Sequence, residues 1–428
     1  MTRRRYERAA VSGAPCAFAK SSDDDELCAV QRFLGIKMAE KQLATGYSGN
    51  MAPNLFGTSA TLFLEATQQD VSQNKPSSEK SAAQKLSPLQ KAPSANPKYA
   101  WKIVWRNVIA FFYLHVGALY GLYLLITAAK SYTAVWGISI AVFAAIGVTG
   151  GAHRLWAHRS YKAKWPLRVI LMIFQTMAFQ NHIYEWVRDH RVHHKFTDTD
   201  ADPHNAQRGF FFSHMGWLMV RKHPDVISKG ATIDMSDLEK DPVVVWQRRL
   251  YIILMPTLCF LLPTWVPCYY WNEKPMYAWY VCIMRYTLSL NITWLVNSAA
   301  HMYGMKPYDN SISPTDSLSV GIGAFGEGWH NYHHVFPWDY KAAELGNYRT
   351  NFTTAFIDMF AKIGWAYDLK TVATNIVKKR AARTGDGTRY ERAAEAHQHS
   401  HANAIWGWGD ADMPAEDIQK VQIFNKGD

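Results

Sequence analysis

Four stretches of this chain are too long and too apolar to be loops. They read "VIAFFYLHVGALYGLYLLITAA" (108–129), "AVWGISIAVFAAIGVTGG" (134–151), "LYIILMPTLCFLLPTWVPCYY" (250–270) and "YAWYVCIMRYTLSLNITWLV" (277–296). Each approaches the roughly 20 residues that carry a helix across a bilayer. They come in two pairs with only a few polar residues inside each pair. The expectation is an all-α membrane protein with two transmembrane hairpins.

Charge gives the topology. The segment between the hairpins, 152–249, carries 15 Lys and Arg, whereas the turns within the hairpins offer essentially Lys130 and Lys274. Lys and Arg concentrate on the cytosolic side of membrane proteins, so the central segment and both termini are expected there. A further apolar run, "PLRVILMIFQTMAFQ" (166–180), opens on Pro166 and is too short to span. It is expected as a helix at the interface or inside the cytosolic layer. An odd number of spans would also divide the histidine clusters described below between the two sides.

The remaining composition fits a membrane protein. The net charge of +11 matches a cytosolic face that meets anionic headgroups or an anionic substrate, and nucleic acid is not needed to explain it. Cys16, Cys28, Cys259, Cys268 and Cys282 have neither metal nor disulfide spacing. Residues 1–97 are polar and Pro-containing, as in "QNKPSSEKSAAQKLSPLQKAPSANP", and are expected to be a disordered extension without a cleaved signal. Met51 opens a possible alternative start. A cytosolic layer is expected over 152–249 and 297–372, with a charged tail over 373–428 whose His397, His399 and His401 are read as solvated.

Eight histidines in three clusters carry the chemistry: "HRLWAH" (153–158), "HRVHH" (190–194) and "HNYHH" (330–334). A helical residue advances about 100°, so His190, His193 and His194 share a face while His193 and His194 diverge from each other. The same holds for His330, His333 and His334. Adjacent histidines can therefore serve two different metals. His153 and His158 are about 140° apart on a regular helix, too far for one metal without distortion, and are expected to flank a pair of ions. His301 in "NSAAH" follows the fourth apolar stretch, and Asn297 lies one turn before it, where its amide could hold a metal-bound water. His115 lies inside the first span, where polar residues are functional candidates. His182, His204, His214 and His223 are isolated and are expected to be structural. The clusters contain no carboxylate, unlike the Glu-rich sites of soluble di-iron bundles, and imidazole alone does not select among iron, zinc, copper and nickel.

"HRLWAH", "HRVHH", "NSAAH" and "HNYHH", with "EWVRDH", "ADPHN", "RGFFFSHMGWLMVRKHP" and "GEGWHNYHH", resemble the membrane-bound animal acyl-CoA desaturases, the stearoyl-CoA desaturase family. The likeness runs from about residue 98 to about 388, and "IWGWGDADMP" is similar to the insect branch. The first fifty residues have no counterpart, and His182 stands where many relatives have an acid. The resemblance implies an endoplasmic reticulum enzyme with two iron ions and a cis double bond placed in a fatty acyl-CoA, at Δ9. It further implies dioxygen as oxidant and electrons from NADH through cytochrome b5 and its reductase. By the same resemblance, His153, His158, His190, His193, His194, His301, His330, His333 and His334 hold the iron ions, Asn297 acts through a water, and Asn107, Asn181, Arg188, Asp189, Arg221, Lys222 and Trp294 contact the substrate.

Small side chains at Ala141, Ala144 and Ala145 share one face of the second span, so Ala141 and Ala145 are candidates for the closed end of an acyl tunnel; close helix packing explains the pattern equally well. Two other functions compete. A membrane hydroxylase would use similar histidine boxes, and a metal transporter would place its ligands near mid-membrane.

Overall fold

A computed structural model describes residues 100–344, 347–391 and 404–427. The N-terminal extension, Cys16, Cys28, Met51 and the three histidines of 397–401 lie outside the described residues. The described chain is mostly helical, with two small two-stranded sheets. It is a membrane protein, because three helices are long and apolar enough to cross a bilayer. These are α1 (Trp105–Thr127), α2 (Ser131–Ile146, continuing as a π-helix over Gly147–Ala157) and α5 (Pro242–Trp271, with a π-helical turn at Thr257–Leu261). Ile109, Phe112, Leu119 and Ile126 on α1 are 67% to 75% exposed, a lipid-facing stripe that water would penalise.

The fourth expected span is the helix α6 (Pro275–Asn297). It matches α1 in length but carries Arg285 and Asn291, which lower its apolar character. It runs antiparallel to α1: a Cβ on Gly121 would stand 2.1 Å from the Tyr280 carbonyl, and Phe111 meets Trp294 edge-on at 5.5 Å. Only glycine permits that approach. The two hairpin tips are tied together. Lys130 Nζ donates to the Trp271 and Asn272 carbonyls at 2.6 and 3.0 Å, and Glu273 accepts from the Lys130 amide and the Thr133 hydroxyl at 2.8 and 2.6 Å.

The histidine-bearing layer begins where α2 leaves the apolar zone. Here α3 (Trp165–Ala178) and α4 (Ile183–Phe196) pack against the π-helical end of α2. Pro166 lies in the first turn of α3, where its missing N–H costs nothing. The His182 ring caps α4 by accepting the Glu185 amide at 3.1 Å, as its structural reading anticipates. Asp241 caps α5 and also accepts from Trp156 Nε1 at 3.0 Å, so one carboxylate joins α5 to α2. The core of this layer holds Trp156, Leu167, Leu171, Ile183, Val187, Leu238 and Ile357. The last of these lies on α9 (Phe352–Lys362).

The short helices α7 (Ala299–Met302) and α8 (His330–Val335) carry the remaining histidine boxes. After α10 (Thr374–Thr384) the chain is not a free tail. Strand β4 (Val421–Phe424) pairs antiparallel with β3 (Leu369–Val372), and β1 (Lys162–Ala163) pairs with β2 (Ala366–Tyr367). The three tail histidines read as solvated, His397, His399 and His401, lie outside the described residues. Ile405, Trp406 and Met413 are buried, and that apolar content anchors the segment that carries them.

Candidate metal centre

The structure gathers all nine histidines into two sets whose ligand nitrogens lie within 4.8 Å of one another: His153, His158, His190, His194 and His333 in one, His193, His301, His330 and His334 in the other. His193 and His194 fall into different sets, as do His333 and His334. The sets abut, because the rings of His194 and His334 stack at 4.1 Å.

His153 and His158 do not straddle the two sets, contrary to the expectation from a regular helix. The end of α2 is a π-helix, with the His158 amide donating to the His153 carbonyl five residues back at 3.1 Å. Its wider turn brings residues five apart nearly over one another, and such insertions are common at functional sites.

Metal binding by these residues passes a chemical test. Nε2 atoms face each other at 2.9 Å (His153 with His333, His158 with His190), 3.0 Å (His301 with His330) and 3.1 Å (His194 with His333, His330 with His334). These contacts cannot all be hydrogen bonds. The Nδ1 of His158 meets the Trp406 carbonyl, which can only accept, so that nitrogen carries the proton and Nε2 keeps a lone pair. His193 Nδ1 lies 2.9 Å from Asp202 Oδ1, and its Nε2 is buried without a partner among the described atoms. Converging buried lone pairs are the donor set of a cation. Burial, and then repulsion from neighbouring imidazoles, holds His158, His190, His194, His301, His330, His333 and His334 well below the ordinary histidine pKa, in the neutral ligand form.

Carboxylates absent from the boxes stand behind them. Glu327 Oε2 lies 2.8 Å from His153 Nδ1, while its other oxygen accepts from the buried Arg154 at 2.9 and 3.1 Å. Burial alone would raise the pKa of Glu327, but the charge of Arg154 and then the neighbouring His153 ring bring it below the ordinary value. Asp202 behaves in the same way: burial opposes its charge, and His193 overcomes that and keeps it ionised. Such partners orient metal-bound imidazoles. His204, read from sequence as structural, lies 3.5 Å from Asp202 and lines the cavity beside the site. Both acids stand in the quoted motifs "ADPHN" and "GEGWHNYHH", but which histidine each supports is decided by the fold. His115, without a partner in sequence, meets Asn291 at 3.3 Å, and Asn291 also meets His214 at 3.2 Å.

The cavity beside the histidines is lined by Phe111, Phe179, Asn181, Asp189, His190, Tyr286, Leu290, Trp294 and Asn297, among others. Asp189 also lines a second, open pocket with Arg188, Lys222 and Gly230. The basic side chains there are paired: Lys222 Nζ lies 2.7 Å from Asp189 and 3.0 Å from Glu185, and Arg188 lies 3.0 Å from Glu185. Of the expected substrate residues, Asn107 and Arg221 line neither space. Asn107 is buried and donates to the Leu218 carbonyl at 2.8 Å, and Arg221 is exposed. Ala141 and Ala145 are half-buried on α2 and also line neither space, while Ala144 packs with Ile140 and Val148.

Comparison with known proteins agrees with this arrangement. The family model described as fatty acid desaturase matches residues 130–349. The chain is 59% identical over 374 residues to an acyl-CoA Delta-9 desaturase of Acheta domesticus, covering 87% of this chain and 98% of that protein. It is 52% identical over 325 residues to an acyl-CoA Delta(11) desaturase of Spodoptera littoralis, covering 76% and 91% of the two chains. It is 54% identical over 299 residues to the human stearoyl-CoA desaturase, covering 70% and 82%. With all nine converging histidines inside the matched region, the chain belongs to the fatty acid desaturase family.

Proposed function

We propose that this chain is an acyl-CoA desaturase that introduces a cis double bond at Δ9 of a saturated fatty acyl-CoA, with two iron ions held by the nine histidines. The observation that carries the reading is the pair of buried imidazole sets beside a cavity with an aromatic and aliphatic wall, which shares Asp189 with a charged, open pocket. An alkyl chain offers no polar handle near its middle, so a cavity wall must present one bond to the oxidant. The resemblance and the relatives' printed names supply the substrate class.

In this reading Arg188 and Lys222 hold the phosphates of the CoA headgroup, Arg through its planar fork and Lys as a point charge. Arg221 on the exposed rim adds steering charge. Phe111, Phe179, Leu290 and Trp294 enclose the acyl chain and exclude water. Asn181, which lines the cavity, orients the thioester end, and Asn107 holds the Leu218 carbonyl behind it. Asn297 holds a water beside the ions, and Glu327 and Asp202 fix the rings of His153 and His193. When bound, the iron pair supplies the oxidising chemistry: dioxygen, two electrons and two protons remove two hydrogens from the chain and leave two waters. Cytochrome b5, reduced by NADH through its reductase, supplies the electrons. The helix α6 is the fourth span, both termini and the site face the cytosol, and the membrane is that of the endoplasmic reticulum.

Expression in a desaturase-deficient yeast tests the reading. The expected product is lighter than its substrate by two hydrogens, with the double bond at Δ9 by chemical derivatisation and mass spectrometry. A product heavier by one oxygen would identify a hydroxylase, and double bonds only at other positions would overturn the regiochemistry.

A further inference from the structure

We infer that the C-terminal segment around Trp406 is a positioning strap for the five-histidine set, and that it holds the ring of His158 in the form that ligates. The inference rests on the reading that the two sets bind metal. His158 caps the π-helical end of α2, so no following helical turn orients its ring. The orienting group comes from 248 residues further along the chain, where the Trp406 carbonyl accepts from His158 Nδ1. Two residues later the Trp408 amide donates to the His158 carbonyl at 2.9 Å. The strap therefore grips both the ring and the backbone of one ligand.

Gly407, between those two contacts, lies against His158. A Cβ there would stand 2.6 Å from the His158 oxygen and 2.7 Å from its Cα, and φ is +152°. Only glycine fits this approach. The guanidinium groups of Arg191 and Arg159, the residues that follow His190 and His158, lie 4.2 and 5.0 Å from the centre of the Trp406 ring. Its amide donates to Asp410 Oδ2 at 2.8 Å, and Asp410 Oδ1 lies 2.9 Å from Lys195, which follows His194. The far end is fixed by pairing of β4 with β3. The polar attachments of Trp406, Trp408 and Asp410 land beside His158, His190 or His194, all in one set, while the apolar side chains of Ile405 and Met413 pack with Tyr332 and Phe336.

A carbonyl that accepts a hydrogen bond from Nδ1–H keeps the proton on that nitrogen, fixes the tautomer and aims the Nε2 lone pair inward, a role whose loss typically costs 10- to 100-fold in metal affinity. The test uses the full-length protein in detergent, with Fe(II) alone as probe, anaerobic equilibrium dialysis and a count of ions per chain. Gly407→Ala pushes the strap off His158, and Asp410→Ala releases the Trp406 amide and Lys195. In either variant, one Fe(II) is expected to weaken by about 10- to 100-fold while the other binds as in the wild type. If Gly407→Ala does not fold, Asp410→Ala decides. Wild-type affinity for both ions in the folded variants would overturn the inference, as would equal weakening of both, which marks a general structural role. A wild-type protein that binds fewer than two ions would instead fail the two-metal reading, and the strap with it.

Discussion

The amide of His158 donates to the carbonyl of His153 at 3.1 Å, and the two rings stand 4.7 Å apart, edge to face. A regular helix would point these residues apart, so the widened turn is what brings both to one set of ligands.

That turn begins where α2 meets α3 with almost no space between backbones. A Cβ on Gly147 would lie 2.1 Å from the Gln175 nitrogen. Gly147→Ala is expected to force the two helices apart, at a cost above the roughly 1–3 kcal/mol of ordinary overpacking, because backbone cannot rotate away. Thermal unfolding in detergent measures this, and a midpoint equal to that of the wild type would contradict it.

Asp202 and Glu327 serve different sets and should have separable effects. Asp202→Asn is expected to weaken Fe(II) in the four-histidine set about 10- to 100-fold with little change in folding. Glu327→Gln does the same for the five-histidine set and also strips the buried Arg154 of its charge partner, for about 3–5 kcal/mol of destabilisation. Metal analysis with thermal unfolding separates the two variants. Equal loss of stability in both would refute the distinction.

Acid should destabilise the metal-free protein. His158, His190, His194, His301, His330, His333 and His334 are held well below their ordinary pKa in the fold. Above the unfolded histidine pKa both states are neutral and stability is flat. As pH falls below about 6.5, the unfolded chain takes up protons that the fold refuses, and each such histidine removes up to about 1.4 kcal/mol per pH unit. Unfolding followed from pH 7.5 to pH 5, in buffers chosen around this range, should show a steep fall without metal and, with Fe(II) bound, a higher stability that falls at least as steeply, because ligated imidazoles also refuse protons. A flat profile without metal would rule this out.

Lys222→Met should raise KM for acyl-CoA by about 10- to 100-fold, the value of one or two charge-assisted hydrogen bonds, while kcat changes little. The headgroup lies far along the chain from the bond that reacts, so uniform binding is what is lost. A drop in kcat alone would place Lys222 elsewhere in the mechanism.

Ala141 lines neither described space, so Ala141→Phe tests whether the acyl path runs on past the cavity to this face of α2. Preference is expected to shift toward shorter acyl-CoAs with the double-bond position retained, because headgroup and histidine geometry are untouched. Products from acyl-CoAs of several lengths give the answer. A uniform loss at all lengths would mark Ala141 as a packing residue.

Local periodicity was enough for much of this protein. Apolar runs of sufficient length must be buried or face lipid whatever surrounds them, so three of the four long helices could be read as spans from composition, and α6 as their partner in length. The separation of His193 from His194, and of His333 from His334, follows from the 100° step of a helix, which every helix imposes. What neighbours impose was not legible. The π-helix that joins His153 to His158 depends on how α2 packs against α3, and the acids behind the rings reach them only after the chain has folded back. The same holds for the pairing of Lys222 with Asp189 and Glu185, and for the descent of Trp406 onto His158 across 248 residues. A hydrogen-bond partner brought by a distant segment leaves no periodic trace, since its position is set by three-dimensional closure and not by the turn of its own helix.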